Sequence, residues 1–312
     1  MKLAFLFPGQ GSQAVGMGKA LAEQFPAARA VIAQADEVLG FALSDVMWNG
    51  PEDALKRTEN AQPALLAHSV AAWTVASERG LKAAFAAGHS LGEYSAHVAA
   101  GSLSYADALR LVRRRGELMA DAGDANAGTM AAILGLDASG VEEACKEVDG
   151  PVVAANFNSP GQVVISGAPD AVEAAMARCK EKGAKRAIRL PVAGAFHSPL
   201  MGPATTGLVE ALATVAIADA KVPVIANVDA LPTTSAEDIR AKLGRQLLGA
   251  VRWEESMRTL INEGAEGFVE LGTGKVLRGL LRSIAPEAKS ANIDDPASLE
   301  ETLTAFGQEA RA

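Results

Sequence analysis

Apolar and polar positions along this chain follow two rhythms, short apolar runs and longer stretches of helical period, which succeed each other from end to end. Lys2 to Phe7 is an apolar run closed by Pro8-Gly9-Gln10-Gly11-Ser12-Gln13, which predicts a buried strand entering a turn. Helical stretches follow from about Gly18 to Val38 and from Gln62 to Glu78. Ala83 to Ala87 predicts a short strand and Glu93 to Ala100 a helix, joined by Gly88-His89-Ser90-Leu91-Gly92. Ser104 with Asp107 three residues on resembles a capping box, so a helix is predicted over Tyr105 to Ala122.

Gly123 to Gly128 is small and polar, and the rhythm changes after it. Thr129 to Leu136 predicts a strand, Ala138 to Val148 a helix, and Val152 to Asn156 and Gln162 to Ser166 strands around an Asn-Ser-Pro-Gly turn. Pro169 to Lys182 then predicts a helix and Lys185 to Leu190 a strand. That order, β-α-β-β-α-β in about 65 residues, is the ferredoxin-like arrangement and predicts an inserted α+β subdomain over 126–193. The flanking segments, 1–125 and 194–312, form the rest of an α/β fold. In the second of these, Val222 to Val228 and Gly267 to Leu271 read as core strands. Gly272-Thr273-Gly274-Lys275 leads into a helix over Val276 to Ile284, and Ser298 to Gln308 reads as a terminal amphipathic helix.

Composition narrows the function classes. With 312 residues, 49% of them hydrophobic, the chain can bury a sizeable core, and its scarcity of aromatics suits closely packed helices on a sheet. A net charge of −8 argues against a broad nucleic-acid footprint. Cys145 and Cys179 show neither disulfide nor zinc-ligand spacing, so no metal is expected. The apolar run at the N-terminus is too short for a signal peptide or a membrane span, so a cytoplasmic protein is expected.

A serine between two glycines, after a strand and before a helix, is the sequence form of a nucleophile elbow, with Ser90 on the sharp turn. The N–H of Leu91, at the helix N-terminus, would face charge developing on an attacked carbonyl. The turn after the first strand can supply a second such donor. Its Gly9-Gln10-Gly11 also begins a dinucleotide-like pattern, but Pro8 interrupts it and no acidic residue follows at the required distance. Gly272 to Lys275 lacks the earlier glycine of a phosphate loop, since Val269 stands there.

Serine needs a base, and the chain has four histidines. His89 adjoins Ser90 but points elsewhere on an elbow, His97 lies seven residues from Ser90 along the following helix, and His68 reads as packed in an alanine-rich helix. His197, on a loop between a strand and a helix starting near Pro199, is the candidate. Its second ring nitrogen needs an acceptor, for which a backbone carbonyl and a carboxylate are equally open.

Several separated strings then match one family: Phe7 to Gln13, Gly88 to Tyr94, Arg115-Gly116, Asn156-Phe157-Asn158-Ser159-Pro160-Gly161-Gln162, Phe196 to Met201, Asn227-Val228 and Gly272-x-Gly274-Lys275. In this order, across nearly the whole chain, they resemble the malonyl-CoA:acyl carrier protein transacylase family of type II fatty acid synthesis. The resemblance implies an α/β-hydrolase-like core with a parallel sheet, the ferredoxin-like subdomain inserted in it, and a site between them. It implies ping-pong transfer of malonyl from malonyl-CoA, through Ser90 with His197 as base, to the phosphopantetheine thiol of acyl carrier protein. No permanently bound cofactor, no nucleic acid, no membrane and a monomer are expected.

Residue by residue, the resemblance makes Gln10 and Leu91 the oxyanion donors and Gln246 the residue whose backbone carbonyl orients the base. Asn227 matches a polar position near the histidine, and His89 and Asn156 fall in the matched strings as substrate-binding candidates. Arg113, Arg114 and Arg115 form a run on one helix that spacing cannot resolve; the Arg-Gly match selects Arg115 to grip the malonyl carboxylate. Phe196 resembles the malonyl-selecting form. The chain departs from the family pattern at Thr273, where proline is frequent, and at Gly194-Ala195.

Rival readings are a serine thioesterase or esterase, an acyltransferase of polyketide synthesis with other acyl specificity, and a non-enzymatic nucleotide-binding module. For the small acidic carrier that the family implies, Lys180, Lys182, Lys185, Arg186 and Arg189 form the candidate docking face.

Overall fold

The apolar run at the N-terminus is the middle of a six-stranded sheet. In the computed structural model, which describes residues 1–192 and 194–307, the strands are β1 (Leu3–Phe7), β2 (Ala83–Gly88), β3 (Thr129–Leu134), β4 (Val152–Ser159), β5 (Gln162–Gly167) and β6 (Arg186–Arg189). They continue with β7 (Val224–Ile225), β8 (Pro232–Thr233), β9 (Gly267–Leu271) and β10 (Lys289–Ile293). The large sheet has the order β10-β9-β1-β2-β7-β8 and is parallel except for the β7–β8 pair. Both faces are covered, as parallel sheets require. Leu3, Phe5 and Phe7 pack into one cluster with the helices before and after β2, while Ala4 and Leu6 pack into another with Trp253, Met257, Leu277 and Leu281.

The second sheet, β4-β5-β3-β6, is antiparallel throughout, with helices Ala138–Lys146 and Pro169–Glu181 packed against it. β4 runs three residues further than predicted because its far half docks on the rest of the chain. The Phe157 N–H donates to the Val251 carbonyl at 2.9 Å and the Val251 N–H to the Ala155 carbonyl at 2.8 Å.

Two other expectations are corrected and a third is resolved into its parts. The helix predicted from Gln62 begins at Thr58 and carries Pro63 inside it. Proline has no N–H for the carbonyl of Glu59, four residues back, and Arg113 Nη1 donates to that carbonyl instead, at 3.1 Å. The helical stretches from Gly18 to Val38 divide into Lys19–Gln24 and Pro26–Leu39, since Pro26 holds Phe25 extended. The strand predicted over Val222 to Val228 shrinks to Val224–Ile225, because Asn227 turns aside to bind the elbow. The last helix is Pro296–Phe306; its predicted end at Gln308, and Ala193 at the predicted subdomain boundary, lie outside the described residues.

Adjacent parallel strands β1 and β2 end side by side, with Phe7 opposite Gly88. The turns that follow β1 and β2 therefore leave the sheet at its carboxyl edge, where open α/β sheets place their sites.

Candidate active site

The elbow is tight enough to exclude side chains. A Cβ on Gly88 would lie 1.8 Å from the Gly92 carbonyl carbon, and one on Gly92 would lie 2.0 Å from the Phe7 carbonyl oxygen. Ser90 itself has φ 50, a left-handed conformation that costs a non-glycine residue about 1–3 kcal/mol. His197 is also left-handed, with φ 57. The strain is offset by fixed partners. Asn227 Oδ1 accepts from the Ser90 N–H at 2.7 Å, and its Nδ2 donates to the Gly88 carbonyl at 2.7 Å.

Ser90 Oγ lies 2.7 Å from His197 Nε2. The other ring nitrogen, Nδ1, lies 3.0 Å from the Gln246 carbonyl oxygen and 3.1 Å from that of Gly249. Carbonyls only accept, so Nδ1 carries the proton and Nε2 offers its lone pair to the serine hydroxyl. The acceptor left open by the sequence is thus a pair of carbonyls. Burial, with the Arg115 charge second, pushes the His197 pKa down to about 3. The imidazole is neutral at rest and ready to accept.

Arg115 stands apart from its neighbours in the arginine run. Arg113 and Arg114 are partly exposed and pair with Glu117, whereas Arg115 is 1% exposed. Its Nη2 donates to Ser90 Oγ and to Gln246 Oε1, both at 3.0 Å, and its Nη1 to Gln62 Oε1 at 2.8 Å. Nε has no partner, and among the described residues no carboxylate forms an ion pair with this guanidinium.

The remaining candidates surround this centre. Leu91 is buried at the start of helix Gly92–Ala99. Gly9 presses on the elbow, since a Cβ there would come within 2.4 Å of the His89 carbonyl oxygen. Gln10, next to it, sends its side chain to Thr58 Oγ1 at 3.0 Å. Among the described residues, the backbone N–H groups of Gln10 and Leu91 meet no protein acceptor. Phe196 is buried beside His197, over Gly194, where a Cβ would lie 2.6 Å from the ring. The departure at Gly194 therefore makes room for Phe196.

His89 turns from Ser90 to Asn158 Oδ1, 2.9 Å from its Nε2, and tilts against Trp253. Asn156 lies at the junction of β4 with Val251, with its Oδ1 unpartnered and no hydrogen bond to the serine or its base. His68, fully buried on Thr273 Oγ1 at 2.7 Å, and His97, on Ser102 Oγ at 2.9 Å, are satisfied core groups. Sequence reasoning missed Gln62, Glu93, Asn158 and the Gly249 carbonyl. Glu93 alone left a signal, as a carboxylate on an otherwise uncharged helix turn beside the serine.

Among the described residues no helix is long and apolar enough to cross a membrane, and no cluster of His, Cys, Asp and Glu is placed to hold a metal.

Residues 4–292 match the family model described as acyl transferase domain. The chain is 50% identical over 311 residues to malonyl CoA-acyl carrier protein transacylase of Bacillus subtilis (strain 168), covering 99% of this chain and 98% of that one. Its structure resembles a crystal structure of acyl-carrier-protein-S-malonyltransferase from Bartonella henselae, with a TM-score of 0.94, 46% identity, and coverage of 98% of this chain and 100% of that chain. A malonyl-transacylase solved in complex with a type II PKS acyl-carrier protein gives a TM-score of 0.94 at 44% identity, covering 98% of this chain and 100% of that chain.

Proposed function

This chain belongs to the acyl transferase family, and from that premise we propose that it moves the malonyl group of malonyl-CoA to acyl carrier protein through a malonyl ester on Ser90. Ser90 Oγ attacks the thioester carbonyl as its proton passes to His197 Nε2, and the oxyanion is held by the N–H groups of Gln10 and Leu91. The C–S bond breaks, and the imidazolium returns its proton to the departing CoA sulfur. The carrier's phosphopantetheine thiol, deprotonated by His197, then attacks the ester and releases Ser90.

The observation that carries the reading is Arg115, a guanidinium 1% exposed, without a carboxylate partner and with one N–H on the nucleophile. No carboxylate touches this buried charge, since Glu93 reaches it only across the Gln246 amide, and a substrate carboxylate would supply a direct bidentate partner. An ester or lipid acyl group has nothing to offer it. The order β4-β5-β3-β6, with its β-α-β-β-α-β sequence, supports reading 126–193 as a ferredoxin-like insertion in an α/β-hydrolase-like core. Phe196 narrows the acyl pocket, and His89 with Asn158 lines its side toward the smaller sheet.

The test is discharge of the acyl-enzyme. Labelled malonyl-CoA should leave a stable malonyl-protein that acyl carrier protein empties at least about 10²-fold faster than water does. Spontaneous hydrolysis at the carrier-driven rate would make the protein a thioesterase.

For docking, the structure changes which cations matter. Lys182 is held by Glu147 at 2.8 Å and Glu143 at 3.4 Å, and Arg189 donates to Thr129 Oγ1 at 3.1 Å. Lys185 and Arg186 are exposed without such partners among the described residues. Lys185→Glu with Arg186→Glu should raise the KM for acyl carrier protein about tenfold and leave that for malonyl-CoA unchanged. Equal effects on both substrates, or none, would remove this face from the docking site.

A further inference from the structure

Glu93 is a carboxylate 1% exposed, three residues beyond the nucleophile, and it has no part in the transfer chemistry above. Its Oε2 accepts from Gln246 Nε2 at 2.7 Å and from the Asn227 backbone N–H at 3.1 Å. These two partners hold the Ser90 backbone on both sides, at its N–H and at its carbonyl. Asn227 Oδ1 takes the Ser90 N–H, while Gln246 Nε2 spends its other proton on the Ser90 carbonyl at 3.0 Å. The same Gln246 reaches Arg115 through Oε1 and His197 through its backbone carbonyl.

We propose that Glu93 is a positioning residue for acylation of Ser90, a single oxygen that ties Asn227 and Gln246 together so that serine, base and arginine keep one alignment. The proposal rests on the reading of Ser90 as the residue that carries the acyl group. Its physical basis is the accounting of Gln246. The amide NH2 faces two acceptors, Glu93 and the Ser90 carbonyl, and the amide oxygen faces Arg115, so the amide has one satisfied orientation. Loss of the acceptor at Glu93 frees one of those protons and loosens Asn227 at once. Burial also pushes the Glu93 carboxyl up to about 7, with Gln246, Asn227 and Arg115 opposing the shift. An oxygen is on offer to both donors in either protonation state.

Two conservative variants separate an oxygen in place from a negative charge beside Arg115. Glu93→Gln keeps an acceptor oxygen at the same reach and removes the charge. Glu93→Asp keeps the charge and draws the oxygen back by one methylene. The measurement is the single-turnover rate of malonyl-enzyme formation over a range of malonyl-CoA concentrations, with thermal unfolding of each variant and Ser90→Ala as control. Glu93→Gln should acylate within about fivefold of the parent, and Glu93→Asp about 10²-fold more slowly at saturation with little change in half-saturating malonyl-CoA. Glu93→Asp at the parental rate, Glu93→Gln slowed as much as Glu93→Asp, or a loss of folding in either would overturn the proposal. Label retained in Ser90→Ala would overturn the acyl-serine reading as well, which separates the two failures.

Discussion

Ser90→Ala is expected to lower malonyl transfer by about 10⁴-fold or more, with His197→Ala close behind and the double variant no slower than the worse single one. The reason is the one bond they share. Ser90 Oγ lies 2.7 Å from His197 Nε2, whose tautomer is fixed from behind by the carbonyls of Gln246 and Gly249. Either change leaves the other group without a function, so the losses do not add. What survives is catalysis by the oxyanion donors and by binding, which neither change touches. Steady-state transfer to acyl carrier protein, measured beside malonyl-CoA binding, checks both halves. Binding within a few-fold of the parent and transfer near background is the expected pair, and full losses that multiply in the double variant would show that serine and histidine act separately.

Much of this centre was legible in the sequence because its requirements are local. An apolar run, a serine between glycines and a helical period specify an elbow without knowledge of the rest of the chain, and β2 with helix Gly92–Ala99 lies within a residue of the prediction. The helix over Val276–Ile284 was equally plain, since a single period runs through it. Less legible were features whose cause lies far along the chain. Pro63 sits inside a helix because Arg113 serves the carbonyl that proline leaves unpaired. Asn227 leaves a strand early because its amide serves Ser90 and Gly88 together, accepting from one and donating to the other. Gln246 was carried over for its backbone carbonyl alone, yet its side chain links Glu93, Ser90 and Arg115. Periodicity has no way to register such bonds, which join residues more than fifty positions apart.

Spacing left Arg115 as one of three arginines, the Arg-Gly match to the family singled it out, and its burial now sets it apart physically, so its removal should change which acyl group the protein accepts. Arg115→Ala is expected to lower kcat/KM for malonyl-CoA by about 10²- to 10³-fold, the range set by losing a buried bidentate pair, and to raise transfer from acetyl-CoA. The second effect follows from two restraints Arg115 imposes when no carboxylate is bound. It donates to Ser90 Oγ at 3.0 Å, occupying a lone pair of the nucleophile, and its charge helps depress the base. A malonyl carboxylate gripped as proposed would lift both at once, by drawing the fork onto itself and by cancelling the charge. A neutral acyl group lifts neither, so selection acts on acylation as well as on binding. The decisive measurement is the acylation rate at saturation for both donors in parent and variant. An Arg115→Ala protein that changes KM for malonyl-CoA alone, with acetyl transfer unmoved, would make Arg115 a binding group only and leave the reactivity of Ser90 independent of what sits on the guanidinium.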